Sequence, residues 1–151
     1  MAIIKPNNNT ISAITALPAA ISTGKVLQVV TATDTTFRET TSTSFVTASN
    51  TLSVNITPAS SSNKIFVIVT SISETASGRG YFTIYRDSTN LGTSTGITEN
   101  RLTWNPLSMS TLDSPSSTSQ LTYQVYFRNL TGTVYLNNGN TGRITAFEIE
   151  G

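Results

Sequence analysis

Residues 64–75 read KIFVIVTSISET, and the five residues from Ile65 to Val69 are apolar without interruption. A short apolar run of this length, rich in β-branched side chains, is typical of a strand that is buried on both faces. We therefore expect this strand at the centre of the fold. Other sheets or neighbouring subunits should cover its two faces.

The segments on either side follow the two-residue period of β-strands. Apolar residues alternate with polar ones from Leu52 to Ile56 and again from Leu121 to Phe127. In the last strand, from residue 144, we expect Phe147 to face the core. Further strands are expected over residues 25–31, 37–47, 80–86, 133–136 and 144–150, and polar turn clusters separate many of them.

This spacing of eight or nine short strands, without a helix, predicts an all-β fold. The most fitting architecture is an antiparallel β-sandwich of jelly-roll type over residues 25–151.

Residues 1–24 have a different character. A polar cluster covers residues 7–10, Pro18 disfavours a helix, and the apolar residues follow no regular period. We expect an extended N-terminal arm that docks on another surface, with folding back onto its own domain as the alternative. The residues predicted to form the docking interface are Ile3, Ile4, Ile11, Ile14, Leu17 and Ile21.

The composition excludes several classes of chemistry. The chain has no His and no Cys, so it has no Ser-His-Asp triad, thiol nucleophile, disulfide or Cys/His zinc site. Its 151 residues include 28 Thr, 20 Ser and 13 Asn, only 11% are charged, and the net charge is +1. We therefore expect a protein that is not an enzyme, has no cofactor, and binds neither nucleic acid nor membrane.

The carboxylates offer little catalytic or metal-binding pattern. Asp34, Asp87, Glu99 and Asp113 are scattered, and they do not alternate as in a calcium loop. No metal ligands and no catalytic residues are predicted. Glu148 lies near the end of the chain, two residues before Glu150, and is expected to form a solvated strand edge with it.

Several stretches resemble a known class of viral proteins. Residues 3–21 resemble the opening of small structural proteins of tailed phages. The remaining stretches resemble the jelly-roll module of phage fibre and head-decoration proteins, which is similar to trimeric tumour-necrosis-factor and C1q heads. These stretches are residues 63–69, 80–86, 112–115, 133–137 and 144–149.

The resemblance implies a homotrimer located in a bacteriophage virion. The N-terminal arm would hold it on the major capsid protein or on another virion protein. Only about two dozen residues precede the β-domain, where long fibres carry a shaft, and this favours a capsid decoration or head appendage. Candidate residues for the trimer interface are Tyr81, Tyr85, Tyr123 and Phe127.

Two alternatives stay open. One is the receptor-binding tip of a tail fibre, which would contact a host surface glycan through residues 93–100 and 137–142, with Trp104 as a stacking residue. The other is a polysaccharide depolymerase, in which Glu99 or Asp113 would carry the activity.

Overall fold

The computed structural model describes residues 24–48, 51–101 and 103–151, and within these ranges it contains strands and no helix. The all-β prediction is confirmed. There are eleven strands where eight or nine were expected, because four of them contain only two or three residues. The strands are β1 (Val26–Asp34), β2 (Arg38–Thr40), β3 (Ser53–Ile56), β4 (Lys64–Thr75), β5 (Gly80–Arg86), β6 (Thr89–Asn90), β7 (Thr98–Asn100), β8 (Asn105–Asp113), β9 (Leu121–Asn129), β10 (Val134–Leu136) and β11 (Gly142–Ile149).

Two antiparallel sheets make up the sandwich. Sheet A has the order β1-β11-β4-β10-β2, with β8 paired to the other edge of β4. Sheet B has the order β3-β9-β5-β6, with β7 also paired to β5. Most neighbouring strands are far apart in the sequence, as the crossing connections of a jelly roll require. The six predicted arm-docking residues lie outside the described residues.

Strand β4 lies inside sheet A, as its sequence predicts. Ile65, Val67 and Val69 are fully buried in the core between the two sheets. Phe66 and Ile68 point to the opposite, outer face of sheet A and are only partly covered. A single chain therefore covers one of the two faces that the apolar run was expected to bury.

In strand β11 the predicted assignment of faces was wrong. Ile144, Ala146 and Glu148 face the core, while Phe147 lies on the outer face of sheet A. The pairing of Ala146 with the buried Val67 fixes this orientation. Hydrophobicity alone favoured Phe147 for the core, but a carboxylate can be buried when hydrogen-bond donors surround it.

Candidate functional site

Glu148 is a buried anion with a complete set of donors. Only 1% of the residue is exposed. Its carboxylate accepts hydrogen bonds from Asn63 Nδ2 at 2.6 Å, Gln28 Nε2 at 2.6 Å and the Ala59 amide at 2.7 Å. Burial by itself raises the pKa of this carboxyl, but the donors outweigh it and hold the pKa below its ordinary value. The prediction of a solvated Glu148–Glu150 edge was wrong for Glu148.

A second polar cluster lies at the ends of β5 and β8. Asp113 accepts hydrogen bonds from Arg86 Nη1 and, at 2.7 Å, from the Tyr123 hydroxyl. Burial and this hydrogen bond raise the pKa of Tyr123 well above its ordinary value. Asp113 is therefore occupied by two partners from the opposite sheet, and the arrangement is that of a structural tie.

The structure places most of the predicted trimer-interface residues inside the single chain. Tyr123 and Phe127 are fully buried in the core between the sheets. Tyr81 lies on the outer face of sheet B, and only 3% of it is exposed. Tyr85 stays partly exposed and stacks on Tyr126, with ring centroids 4.0 Å apart. Tyr81, Tyr123 and Phe127 therefore offer almost no surface to another copy: Tyr123 and Phe127 lie in the core, and Tyr81 is covered on the outer face of sheet B.

Arg128 covers Tyr81. Its guanidinium carbon lies 4.8 Å from the ring centroid of Tyr81 and 5.0 Å from that of Phe45. The same group donates hydrogen bonds to the carbonyls of Thr43 and Ser94. Arg128 thereby fastens two loops over the outer face of sheet B.

The outer face of sheet A carries an exposed apolar row. Val29, Phe147, Phe66 and Leu112 are consecutive cross-strand partners on β1, β11, β4 and β8. Val29 and Leu112 are each 54% exposed, and the two rings lie between them with centroids 6.3 Å apart. Sequence patterning missed this row as a unit, because its members share a register only after the strands have paired. The one signal available in advance was the unbroken run from Ile65 to Val69.

The rows on the two sides of the apolar row differ in charge. Thr31, Thr145, Ile68 and Ser110 form the row on one side, and the two threonine hydroxyls lie 3.1 Å apart. Arg143 enters in the row after that. On the other side Ile149 pairs with both Val26 and the exposed Lys64, so that row is apolar with one lysine.

The structure separates the two loops predicted to contact a glycan. Residues 95–99 line a shallow pocket of about 120 Å³ against Tyr81 on sheet B. Residues 137–142 lie beside Trp104, because a Cβ on Gly139 would be 3.9 Å from the indole Cη2. Trp104 is 57% exposed, so the predicted stacking residue joins the second loop.

The remaining carboxylates bind residues of this chain. Asp34 accepts hydrogen bonds from Arg38 and from the amides of Thr36 and Thr51, and Glu99 pairs with Arg101. Within the described ranges, no group of three or more acidic side chains is arranged to hold a metal ion. Those ranges also contain no helix that is long and apolar enough to cross a membrane.

In comparisons with known proteins, no protein-family model matches the chain, and no curated protein matches its sequence. The interpretation of its surfaces therefore depends on their geometry and chemistry.

Proposed function

We propose that this chain is a non-enzymatic structural protein of a bacteriophage virion. It acts as a homotrimeric capsid decoration or head appendage, and its N-terminal arm holds it on the major capsid protein or another virion protein. The virion assignment comes from the sequence resemblance described above. The observation that carries the assembly role is the apolar row of Val29, Phe147, Phe66 and Leu112.

Exposure of the apolar row favours self-association. Fully burying a side chain of this size contributes about 1.5–3 kcal/mol relative to leaving it in water. Four such residues in register form a flat strip that the same strip on other copies can cover. The Thr and Ser side chains on one side of the row add no charge that would oppose the approach of identical copies, and Lys64 is the charged residue in the row on the other side.

The composition of the surface fits a durable particle. Thr, Ser and Asn make the β-surface soluble with few charges, and the chain has no cysteine to oxidise. The interior charges are also satisfied, because each buried side-chain N or O atom of the described residues has a hydrogen-bond partner.

Residues 1–23 would supply the contact with the capsid. The described chain begins at Gly24, where a Cβ would lie 3.7 Å from Cγ2 of Ile149, the last residue of β11. A segment of 23 residues reaches up to about 80 Å when extended. That length is sufficient to extend beyond the sandwich to a neighbouring protein.

Two measurements test this function. Antibody against the β-domain should label the head shell of intact particles in negative-stain images. Protein lacking residues 2–21 should be missing from purified particles while remaining folded and trimeric in solution. Particles that carry no label would contradict the virion role, and full binding of the truncated protein would contradict the arm.

A second candidate function is the receptor-binding tip of a fibre. The observation that favours it is the exposed Trp104 beside the loop of residues 137–142. Label confined to the tail, in the imaging experiment above, would favour this candidate over head decoration.

A further inference from the structure

Three residues in register and the neighbouring Trp104 lie at one end of sheet A, and we call these four residues the aromatic–acidic row. Tyr135 is the cross-strand partner of both Glu39 and Glu74. With strands about 4.8 Å apart, these three positions span about 10 Å. Trp104 immediately precedes β8, beside the loop of residues 137–142, and Asn138 of that loop contacts Glu74.

This row is well separated from the apolar row. Phe66 and Glu74 both lie on the outer side of β4, eight residues apart, which corresponds to about 26 Å along a strand. The two rows can therefore bind different partners. Packing of copies through the apolar row leaves the aromatic–acidic row free.

A polar recess lies beside this row. It has a volume of about 300 Å³ and is lined by Glu39, Thr40, Thr41 and Thr133. Hydroxyl groups and a carboxylate thus line a space of the size that small ligands occupy. Tyr135, the strand partner of Glu39, stacks on Phe37 with ring centroids 5.4 Å apart and planes inclined by 25°.

The other half of the row is held in place by hydrogen bonds. Asn138 Nδ2 donates to Glu74 Oε2 at 2.8 Å. The preceding residue, Asn137, is fully buried, and its Oδ1 accepts a hydrogen bond from the Ser71 hydroxyl at 2.6 Å. The loop is therefore anchored to β4, and its groups are positioned before a ligand arrives.

The backbone supports the exposed indole at a conformational cost. Trp104 has a φ of 54°, in the left-handed region that a bulky side chain rarely adopts. A 57% exposed tryptophan gains no core packing that would explain this strain. Strained residues of this kind cluster at ligand-binding sites and switch regions.

We propose that the aromatic–acidic row and its recess bind a saccharide. The rings of Tyr135 and Trp104 offer faces for the C–H side of a sugar ring, and Glu39 and Glu74 accept hydrogen bonds from its hydroxyls. The threonine hydroxyls of the recess donate and accept further hydrogen bonds. This assignment deepens the receptor-binding candidate and depends on it for its biological role, but the binding itself does not depend on where the protein lies in the virion.

Trp104 provides the test, because it is the single tryptophan in the sequence and its fluorescence reports this site alone. The full chain is titrated with a panel of short neutral, N-acetylated and uronate-containing oligosaccharides. We expect a saturable change in emission with at least one of them. Absence of a saturable change across the whole panel would overturn the proposal.

Variants locate the binding. Glu39→Gln and Tyr135→Ala should each lower the affinity for the selected oligosaccharide by at least about tenfold. Tyr135→Phe keeps the ring, and its affinity should lie within about threefold of that of wild type. Glu150→Gln is the matched control, since it changes an exposed carboxylate that follows β11 and lies outside the row and the candidate loops. If Tyr135→Ala fails to fold, Glu39→Gln decides the result. Equal binding by Glu39→Gln and wild type would overturn the site.

The outcomes also separate this inference from the proposed function. Saccharide binding with no label on particles would contradict the virion role and support the site. Labelled particles whose protein binds no saccharide would support the virion role and overturn the site.

Discussion

Arg86 and Asp113 join the two sheets at one end of the sandwich. Arg86 Nη1 lies 2.9 Å from Asp113 Oδ1 and 2.7 Å from Oδ2. Arg86 ends β5 in sheet B, and Asp113 ends β8 in sheet A. Tyr123, from β9 of sheet B, donates to the same carboxylate. The contact makes the spacing of the sheets depend on a charged pair as well as on apolar packing.

Removal of this tie should destabilise the fold. Asp113→Ala leaves Arg86 and the Tyr123 hydroxyl without their acceptor, and we expect the free energy of unfolding to fall by about 3 kcal/mol. Tyr123→Phe removes one hydrogen bond to a charged acceptor and should cost about 2 kcal/mol. Urea unfolding followed by circular dichroism measures both.

Glu99→Ala is the control for this comparison, because its pair with Arg101 is exposed. Exposed pairs contribute at most about 1 kcal/mol. If Asp113→Ala lowers the free energy of unfolding no more than Glu99→Ala does, the contacts of Asp113 with Arg86 and Tyr123 do not stabilise the fold.

The sequence was sufficient to predict the fold class and the central strand. Alternation in β3 and β9 predicted one apolar face for each strand, and Val54, Ile56 and Val125 on these faces are buried. It failed in β11, where hydrophobicity ranked Phe147 above Glu148. The carboxylate is buried because Gln28, Ala59 and Asn63 supply donors from three other segments, and such long-range partners leave no local pattern.

The functional surfaces were predicted less well, for a related reason. Tyr81, Tyr123 and Phe127 are aromatic residues on strands, but a count of aromatic residues cannot distinguish an interface from a core. The two rows on sheet A depend on register: Phe66 meets Leu112 only because β4 pairs with β8. Trp104, residues 93–100 and residues 137–142 were predicted to form one glycan site, but the structure places Trp104 beside residues 137–142 and residues 95–99 against Tyr81.

The buried Glu148 should make stability depend on acid pH. Its pKa in the folded state lies below the ordinary value of 4.5, so its contribution is fully present at neutral pH and is lost as the pH falls through the folded pKa. Glu148→Gln should lower the free energy of unfolding by about 1–3 kcal/mol at pH 7, because an amide accepts fewer of the donors. The gap between the two proteins should narrow as the pH falls below 4.5.

Unfolding in urea at a series of pH values from neutral to acid measures this gap. Glu150→Gln provides the matched control, since Glu150 makes only an exposed ion pair with Lys25 at 3.6 Å. A gap between wild type and Glu148→Gln that stays constant across the whole pH series would be inconsistent with a carboxylate that binds as an anion.

The apolar row should control the oligomeric state. Leu112→Glu introduces a charge at one end of the row. Because a desolvated charge opposes packing, we expect the association constant of the trimer to fall by at least about tenfold. Leu130→Glu is a closely matched control, since Leu130 is 45% exposed against 54% for Leu112 and lies outside the row.

Sedimentation equilibrium of the full chain gives the masses. Wild type and Leu130→Glu should sediment as trimers, and Leu112→Glu should shift toward the monomer. A monomeric wild-type protein, or identical masses for the two variants, would exclude the apolar row as the contact between copies.

Arg128 should determine the order of the two loops that cover sheet B. Its guanidinium donates to the Thr43 carbonyl at 3.0 Å and to the Ser94 carbonyl at 2.9 Å, and it lies over two rings. Lysine keeps the charge but cannot reach both carbonyls with a planar group. We expect Arg128→Lys to speed hydrogen exchange at the Val46 and Gly96 amides by about tenfold, because these amides close the loops that Arg128 joins.

Arg143→Lys, on the exposed side of β11, is the control and should leave exchange at both amides unchanged. Equal exchange rates in Arg128→Lys and wild type would show that backbone hydrogen bonds alone order the two loops. The guanidinium would then cover Tyr81 without ordering the loops.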